Sequence, residues 1–423
     1  MKRAVSTRGS ITIVGAGQAG LSLGIGLRRF GFDVTIVSDR TPDEIRDGHV
    51  MSSQCMFDTA QGFERALGIN FWDRQCPTID GMRFSVFLEG LPDTPVNAWS
   101  ATFERPARSI DQRLKMPRWM TEFERLGGDL RIETATVESL ERYARSSDLV
   151  IVAAGKGSIT QLFETNAELS PYREPQRSLA MFYVSGLRRP SASSAIEFSL
   201  IPGYGEYLTY PALTAQGECD IMLFEAVPGR PMDLWSRSAE RPDRKLASAI
   251  AFLSQHLPEE AQRASDIALI DENAVLAGSI TPRVRNPIAT LPSGAEVLGM
   301  ADAIVVNDPL SAQGANNANK CADAYLQAII RHDGPFDRRF MTGAFEEFWK
   351  IGGPATAFTN QLLGPALPHT SELHIAASKY GEIADRFGHC MDDPADALDW
   401  ILDPIGAYRY IQRVAARNAR LAA

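Results

Sequence analysis

Several features that define large classes of proteins are missing from this sequence. Its 423 residues contain no run of about 18 apolar residues, the length needed to span a bilayer. The formal net charge is −9, whereas nucleic-acid-binding domains carry a basic surface. The apolar stretch after the N-terminal Lys2 and Arg3 is interrupted by five glycines between positions 15 and 26, unlike a secretory signal peptide. These absences predict a cytoplasmic protein that binds neither membrane nor nucleic acid.

The sequence also lacks the patterns of disulfide-linked and metal-binding proteins. Its five cysteines are an odd number with no CxxC spacing, and its six histidines form no HExxH group. We therefore expect free thiols and no metal site. With 44% hydrophobic and 22% charged residues the composition is typical of a globular enzyme, and the length suffices for two or three domains with a deep pocket.

What is present begins with a strand, a glycine-rich loop and a helix. Residues 9–14 are predicted as a strand, 21–30 as an apolar helix and 33–37 as a second strand, which together make a βαβ unit. In a Gly-x-Gly-x-x-Gly loop the first glycine permits a tight turn, the second lets a diphosphate approach, and the third lets the helix pack closely. The spacing therefore predicts a Rossmann-like site for a dinucleotide. The loop residues expected at the cofactor are Gly15, Gly17, Gln18, Ala19 and Gly20.

The position after the second strand departs from the usual pattern of this fold. An acidic residue is expected there to bind the adenosine ribose, but Ser38 stands in that position and is followed by Asp39 and Arg40. Two interpretations remain open: Asp39 binds the ribose from a shifted position, or the ribose is bound more weakly.

The rest of the pattern predicts an α/β fold with a second sheet. A continuous apolar run at 148–154 is typical of a parallel strand that is buried on both faces. From Ser178 to Phe224, short aromatic and β-branched runs separated by Pro and Gly predict a mainly antiparallel sheet that can roof a pocket. Residues 241–264 are predicted as one helix. The assigned domains are 1–177 with 280–335 for the dinucleotide, 178–279 for the substrate, and 336–423 as a helical C-terminal region.

A second informative stretch follows a predicted strand at 296–300. It contains Asp302 and then the run 308–317, which reads DPLSAQGANN. Together with the glycine loop, this stretch resembles the motifs of FAD-dependent aromatic monooxygenases. The resemblance implies that Asp302 binds the ribityl or phosphate part of FAD. It also implies that a helix opening in this run points its N–H groups at the flavin and stabilises the negative charge of the reduced ring. The implied flavin contacts in this stretch are Asp302, Pro309, Gly314, Ala315 and Asn316.

Within that class, the chain is similar over essentially its whole length to the oxygenase components of styrene and indole monooxygenases. The segments that carry the similarity are 15–21, 34–44, 111–114, 154–156, 174–177 and 308–316. The resemblance implies that Arg113 lies near the FAD phosphates, with a surface salt bridge as the alternative. It implies that residues 51–55 line the isoalloxazine ring, with a buried connecting loop as the alternative. The further cofactor contacts that it implies are Ser38, Asp39, Arg40, Ser53, Gln54, Val137, Ala154 and Gly155.

The resemblance also implies a division of labour between two proteins. Self-contained aromatic hydroxylases usually have an Asp-Gly pair after the strand near residue 150 that helps FAD and NAD(P)H to bind, but here Ala154 replaces the aspartate. Only one convincing glycine motif is present. We therefore expect a separate NAD(P)H:flavin reductase to supply reduced FAD (FADH2), by transient docking or by diffusion. Dioxygen would then form a flavin C4a-hydroperoxide that epoxidises indole, styrene or a similar small aromatic, without a catalytic acid or base.

An apolar pocket must shelter this chemistry from water. For any single aromatic of the second sheet, ordinary core packing is the favoured interpretation. The pocket candidates are Ser52, Cys55, Phe182, Phe198, Tyr207, Tyr210 and Pro309. Three other functions remain open: a single-component NAD(P)H-dependent hydroxylase, a non-catalytic dinucleotide-fold binding protein such as a prenyl-protein carrier, and a flavin halogenase, which the absence of a WxWxIP segment disfavours. The sequence leaves the oligomeric state open, a homodimer included.

Overall fold

The computed structural model describes residues 8–52, 54–190, 194–235 and 240–422. The strands are β1 Ser10–Val14, β2 Asp33–Ser38, β3 Ile79–Val86, β4 Asn97–Ala107, β5 Asp129–Ile132, β6 Leu149–Val152, β7 Ser178–Ser185, β8 Ile196–Ile201, β9 Gly205–Thr214, β10 Gly217–Ala226, β11 Ala268–Leu269, β12 Val275–Ser279, β13 Arg283–Val284, β14 Ile288–Thr290, β15 Glu296–Gly299 and β16 Val305–Val306. The helices are α1 Gln18–Arg29, α2 Pro42–Arg46, α3 Asp58–Ala66, α4 Gln112–Arg125, α5 Val137–Ser146, α6 Pro242–His256, α7 Pro258–Arg263, α8 Gln313–Ile330, α9 Arg338–Leu363, α10 Pro368–Ala377, α11 Gly381–Asp392 and α12 Pro404–Ala422.

The first layer is a six-stranded sheet in the order β14-β15-β6-β1-β2-β5. Every neighbouring pair is parallel except β14 with β15, so the strands from β15 to β5 all end at the same edge. Strands β1 and β6 are buried along almost their whole length, as expected for a parallel sheet that is covered on both faces. The predicted Rossmann-like unit is confirmed, because β1, α1 and β2 follow one another in the predicted order.

The second layer is an eight-stranded sheet in the order β11-β7-β10-β9-β8-β3-β4, with β12 also paired to β7. Its pairs are antiparallel apart from β3 with β8. This sheet therefore draws on residues 79–107, which the sequence analysis places in the dinucleotide domain. In β4 the buried Trp99, Ala101 and Phe103 alternate with exposed neighbours. A period of two is typical of a half-buried strand. Residues 79–107 therefore belong with the second sheet, which corrects the domain boundary assigned from the sequence.

Two hydrophobic cores lie on opposite faces of the second sheet. One contains Phe182 of β7 and Phe252 of α6, so α6 covers this face. The other contains Tyr183, the next residue of β7, and Phe387 of α11. Successive side chains of a strand point to opposite faces, so one strand contributes to both cores.

The remaining helices follow the predicted pattern with one exception. The chain from α9 to α12 is mainly helical, as predicted. The helix predicted at 241–264 forms α6 and α7 instead, because Pro258 lacks the N–H that would continue α6 through Leu257. Within the described ranges, no helix combines the length and the apolar character needed to cross a membrane.

Candidate active site

Four chain segments meet at one edge of the six-stranded sheet. Because β15, β6, β1 and β2 are parallel neighbours, the residues that follow them lie side by side at the carboxyl ends of the strands. Ligands of open parallel sheets bind at this edge. The four segments are 300–302, 153–155, 15–17 and 38–40. The structure thus brings eight of the predicted cofactor residues together at this edge, where an open parallel sheet has its ligand groove.

The three motif glycines have the geometry that their predicted roles require. Gly15 has a φ of +124°, and a Cβ there would lie 2.8 Å from the backbone nitrogen of Ala154. A Cβ on Gly20 would lie 2.0 Å from the Gly15 oxygen, so only glycine lets α1 pack this closely. A Cβ on Gly17, by contrast, would meet no atom within 4 Å. That open space fits the diphosphate of a dinucleotide.

The N-terminus of α1 adjoins this open space without a capping side chain. Gly17 is its N-cap, and no side chain bonds to the N–H groups of its first turn. Free N–H groups and the positive end of a helix dipole together attract anions. Ala19 is 5% exposed and packs in the core, so its contribution to a cofactor is limited to its backbone.

The side chain of Gln18 points away from the groove, which corrects one expectation from the sequence. Its Nε2 donates to Glu64 Oε1 and to Asn319 Oδ1, each at 2.8 Å. Asn319 Nδ2 and the Lys115 ammonium donate to the same Glu64 oxygen. This buried network joins α1 to α8, so Gln18 can offer a cofactor only its backbone N–H.

The turn after β2 leaves one acidic group accessible to a ribose. The Ser38 hydroxyl donates to the Arg40 carbonyl at 2.6 Å and accepts from the Arg40 N–H, so it is used within the turn. Asp39 exposes 70% of its side chain, and its carboxylate lies 3.7 Å from Arg40 Nε. Of the two interpretations left open by the sequence, this geometry favours Asp39 as the ribose-binding group.

Gly155 and Asp302 lie against each other on the other side of the glycine loop. A Cβ on Gly155 would lie 2.7 Å from the Asp302 Cβ, so the two chain segments are in close contact. Asp302 is exposed although its neighbours Ala301 and Ala303 are buried, so its side chain is open to a ligand. Val137 begins α5 shortly after β5, whose carboxyl end lies at the same edge of the sheet.

The second motif contains two alanines with unusual backbone. Ala301 has a φ of +48° and Ala312 a φ of +54°, and no other described residue except glycine has a left-handed backbone. This conformation costs alanine about 1–2 kcal/mol, and such outliers cluster at ligand sites. Pro309 begins the short helix Pro309–Ser311, and Ala312 then caps α8, which has no capping side chain. A Cβ on Gly314 would meet no atom within 4 Å, so this helix end is also open.

Buried amide groups beside the start of α8 have no hydrogen-bond partner among the residues that the structure describes. Both polar atoms of Asn307 and of Asn317 are unpaired, although these residues are 7% and 3% exposed. A buried unpaired polar group costs about 1–3 kcal/mol. The polar edge of a flavin ring carries the N–H and carbonyl groups that would pair with such amides. These residues therefore fit the cofactor that the motifs imply, and neither is among the contacts predicted from the sequence.

Asn316 attaches the predicted ring-lining segment to the start of α8. Its Nδ2 donates to the Cys55 carbonyl at 2.8 Å and to the Ala312 carbonyl at 2.7 Å. Its Oδ1 accepts from the Phe57 N–H at 2.9 Å. The amide of Asn316 is thus used to position the protein chain. Ser53, another predicted contact, lies outside the described residues.

Tyr183 is a candidate site residue that the sequence analysis does not identify. Its hydroxyl donates to the Ser52 carbonyl at 3.1 Å and accepts from Gln54 Nε2 at 3.3 Å. Gln54 also donates to the Ile110 carbonyl and accepts from the Ser52 hydroxyl. Burial raises the pKa of Tyr183 well above its ordinary value, so the phenol stays neutral. The sequence signal that could have identified Tyr183 is the two-residue period of β7, because that period places Tyr183 and Phe182 on opposite faces of the sheet.

Arg113 is buried and already paired. It is 6% exposed, its Nε donates to Asp111 Oδ2 at 2.9 Å, and its Nη1 donates to Asp271 Oδ2 at 3.0 Å. The alternative of a surface salt bridge is therefore wrong. A phosphate at this arginine would have to compete with two carboxylates that already compensate its charge.

The predicted pocket aromatics divide between the two faces of the second sheet. Phe182 and Tyr207 pack on Phe224 in the core under α6, and their ring centroids lie 6.0 and 4.7 Å from that of Phe224. For these two, the interpretation as ordinary core packing holds.

Phe198 and Tyr210 belong to the other core, which also contains Cys55. Only this second pair therefore shares a core with the ring-lining segment.

The described residues offer neither a reactive thiol nor a cluster of metal ligands. All five cysteines are free and buried. Burial raises the pKa of Cys76 to about 11, which keeps this thiol protonated at neutral pH. No group of three or more histidine, cysteine, aspartate or glutamate side chains in the described ranges is arranged to hold a metal ion.

Comparison with known proteins identifies relatives over nearly the whole chain. Residues 155–263 match the family described as "Styrene monooxygenase A putative substrate binding domain". The chain is 30% identical over 403 residues to styrene monooxygenase StyA of Pseudomonas fluorescens, covering 93% of this chain and 95% of that protein. The flavin-dependent halogenase CmlS superposes with a TM-score of 0.62 at 15% identity, over 84% of this chain and 64% of that chain. The flavin-dependent brominase Bmp2 gives 0.60 at 14% identity, over 97% of this chain and 98% of that chain.

The fold, the groove and the sequence relatives together define a flavin-dependent monooxygenase. The two halogenase structures share the Rossmann-like fold at identities that support the fold alone. Because the match to StyA spans nearly all of both proteins, the chain belongs to the styrene monooxygenase family.

Proposed function

We propose that this protein is the oxygenase component of a two-component monooxygenase that epoxidises indole, styrene or a similar small aromatic with reduced FAD and dioxygen. The observation that carries the proposal is a pair of uncapped helix N-termini, those of α1 and α8, with open space at Gly17 and Gly314. The N-terminus of α1 suits the diphosphate of FAD, and the N-terminus of α8 suits the flavin ring.

The residues of the groove would divide the binding of FAD among them. The N–H groups at the start of α1 bind the diphosphate, Asp39 binds the ribose hydroxyls, and Asp302 binds the ribityl chain. The start of α8 presents N–H groups and the positive end of its dipole to the ring, which favours the anionic reduced form. Reduced FAD, when bound, supplies the electrons that activate dioxygen. No side chain is therefore needed as a catalytic acid or base.

The substrate would lie between the ring-lining segment and the second sheet. Cys55, Tyr183 and Tyr210 share one core and are 1%, 0% and 4% exposed. Apart from the hydrogen bonds of Tyr183, this core is hydrophobic and closed to solvent, which suits a small planar aromatic and limits the loss of activated oxygen as hydrogen peroxide. The backbone of Ser52 accepts from Tyr183, and Ala312, at the end of the turn that begins at Pro309, packs against the same core, so both would complete the wall.

A separate NAD(P)H:flavin reductase would supply the reduced FAD. Ala154 stands where single-component hydroxylases have the aspartate that helps NAD(P)H to bind. The backbone of Ala154 packs closely against Gly15. The accessible Asp39 suits a flavin that enters and leaves the groove between turnovers.

Chemically reduced FAD tests this proposal without any reductase. The protein is mixed with reduced FAD under anaerobic conditions and then with oxygenated buffer that contains styrene or indole. We expect oxygen-dependent formation of styrene oxide, or of blue pigment from indole. Rapid bleaching of oxidised FAD by NADH alone would instead identify a single-component hydroxylase. Binding of FAD without any oxygen-dependent product would identify a non-catalytic binding protein.

A further inference from the structure

Four ionisable residues that the proposed function does not use meet behind the turn at Asp308. Arg177 directly precedes β7, Glu206 lies on β9, and Glu225 lies directly across from it on β10. The exposed fraction is 7% for Arg177, 5% for Glu206, and zero for both Glu225 and Asp308. At this depth each charge must be compensated or neutralised by a proton.

The single arginine compensates only one of the three carboxylates. Arg177 pairs with Glu206 through two hydrogen bonds of 2.7 and 2.8 Å. Neither oxygen of Glu225 has a nitrogen or hydroxyl donor among the described residues, and Asp308 Oδ2 also lacks one. The carboxyl groups of Glu225 and Asp308 are in contact with each other. Two carboxyl groups can form a hydrogen bond in such surroundings only if one of them holds a proton.

We propose that Glu225 is a positioning residue that keeps one proton, donates it in a hydrogen bond to Asp308, and thereby fixes the turn 308–312. The inference rests on the proposed function, because this turn leads into the helix end that would hold the flavin ring. Asp308 Oδ1 accepts from the Leu310 N–H at 3.1 Å and so caps the short helix of the turn. Ala312, the left-handed N-cap of α8, follows two residues after Leu310. A displacement of Asp308 is therefore passed directly to the start of α8.

The groups around the pair set the direction of its pH dependence. Burial, with the negative charges of Asp308 and Glu206, raises the pKa of Glu225 far above its ordinary 4.5, and Arg177 offsets this only in part. Burial raises the pKa of Asp308 to about 6. Tyr172 also faces Asp308, and burial raises its pKa, so it stays neutral. Because the folded protein holds more protons than the unfolded chain above pH 4.5, its stability falls as the pH rises, until the pair has lost its proton.

Thermal unfolding of the flavin-free protein tests the pair without any cofactor. Between about pH 6.5 and 9 the Tm of the wild type should fall as the pH rises. Glu225→Gln keeps a permanent donor to Asp308, so its Tm should change less with pH and should exceed that of the wild type at the alkaline end. Glu218→Gln, an exposed acid on the same strand, is the matched control and should keep the wild-type slope. Equal slopes in the wild type and in Glu225→Gln would overturn the proposal.

A second substitution protects this test against a folding failure. Asp308→Asn supplies the amide donor from the other side of the same contact. If Glu225→Gln does not fold, the same loss of pH dependence is expected in Asp308→Asn, and a wild-type slope there would overturn the proposal.

Binding of oxidised FAD by these variants separates this inference from the proposed function. Glu225→Gln should bind oxidised FAD as the wild type does, because both give Asp308 a donor, whereas Glu225→Ala removes the donor and should raise the dissociation constant about tenfold, which corresponds to roughly 1.4 kcal/mol. If no variant binds FAD while the Tm slopes differ as expected, the proposed function fails and the proton-holding pair stands. If Glu225→Ala binds FAD as tightly as the wild type, the positioning role is overturned while the flavin site stands.

Discussion

The side-chain amide of Asn316 donates to the carbonyl of Cys55 at 2.8 Å, across 261 positions of the chain. The same amide accepts from the N–H of Phe57 at 2.9 Å. These bonds attach the segment that would line the flavin ring to the helix that would face it. One side chain therefore joins the two sides of the proposed ring site directly.

Replacing Asn316 with alanine should weaken the fold and the flavin site together. The change leaves the Cys55 carbonyl and the Phe57 N–H unpaired in the interior, at a cost of about 1–3 kcal/mol for each buried group. Chemical unfolding of the flavin-free protein should show this loss, and fluorescence titration should show weaker binding of FAD. Asn418→Ala, at an exposed position of α12, should change neither quantity. An Asn316→Ala protein with wild-type stability would contradict the role that we assign to this amide.

Gly17→Ala and Gly20→Ala should fail in different ways. Gly17 has a φ of −88° and open space around it, so its alanine variant should keep the stability of the flavin-free protein but lose affinity for FAD. At Gly20 the new methyl would lie 2.0 Å from the Gly15 oxygen, so this variant should lose about 1–3 kcal/mol or more of stability before any cofactor binds.

The Tm without FAD and the dissociation constant of FAD measure these two effects separately. Gly343→Ala, at an open position of α9, is the control: it should leave the dissociation constant of FAD unchanged and should not lower the Tm, because alanine favours a helix over glycine. If Gly17→Ala binds FAD as tightly as the wild type, the diphosphate does not lie at this loop.

His374 should make the protein sensitive to acid. Its ring is nearly parallel to those of Phe84 and Phe387, with centroids 4.7 and 4.9 Å away, and its Nδ1 accepts from Trp99 Nε1 at 3.2 Å. Burial lowers the pKa of His374 from its ordinary 6.5 to about 4. Below pH 6.5 the unfolded chain takes up a proton that the folded protein does not, so stability falls as the pH drops toward 4.

The Tm measured below pH 6.5 checks this prediction. His374→Phe should lose part of the acid sensitivity, since phenylalanine can stack but cannot titrate. His49→Asn removes an exposed histidine and should retain the wild-type profile. An unchanged acid profile in His374→Phe would assign the effect to other groups.

Removing Lys115 should destabilise the protein far more than removing a surface cation. Lys115 is 1% exposed, donates to Glu64, and lies 4.6 Å from the centre of the Trp119 ring. Lys115→Met leaves the carboxylate of Glu64 uncompensated in the interior, which should cost about 3–5 kcal/mol in urea unfolding. Arg46→Met breaks only the exposed pair with Asp43 and should cost less than about 1 kcal/mol. Partial recovery on adding Glu64→Gln to Lys115→Met is expected, and equal costs for the two single variants would refute the prediction.

The cofactor edge of the fold could be predicted because its geometry is local. A glycine loop between a strand and a helix is shaped by backbone contacts within a few residues, as the close approach of Gly20 to Gly15 shows. The second motif is equally local, since its residues all lie between 302 and 317. Short sequence patterns therefore sufficed to predict the α/β fold and the edge of the sheet at which the candidate cofactor residues lie.

The directions of single side chains could not be predicted in the same way. Gln18 turns inward because Glu64 and Asn319, both distant in sequence, offer it partners. Phe182 and Tyr207 belong to the core under α6, because the two-residue period of a strand shows which residues share a face but not what covers that face. Contacts of this kind are decided by tertiary packing, which a single sequence does not display.

The order of the segments along the chain affects when the groove can form during synthesis. The α1 end of the groove is complete by Arg40, whereas the α8 end needs Ala312 and Asn316, which leave the ribosome late. N-terminal parts of a chain generally fold first, so the βαβ unit can form long before its counterpart exists. A flavin that needs both helix ends therefore cannot be held until the segment with α8 has been synthesised.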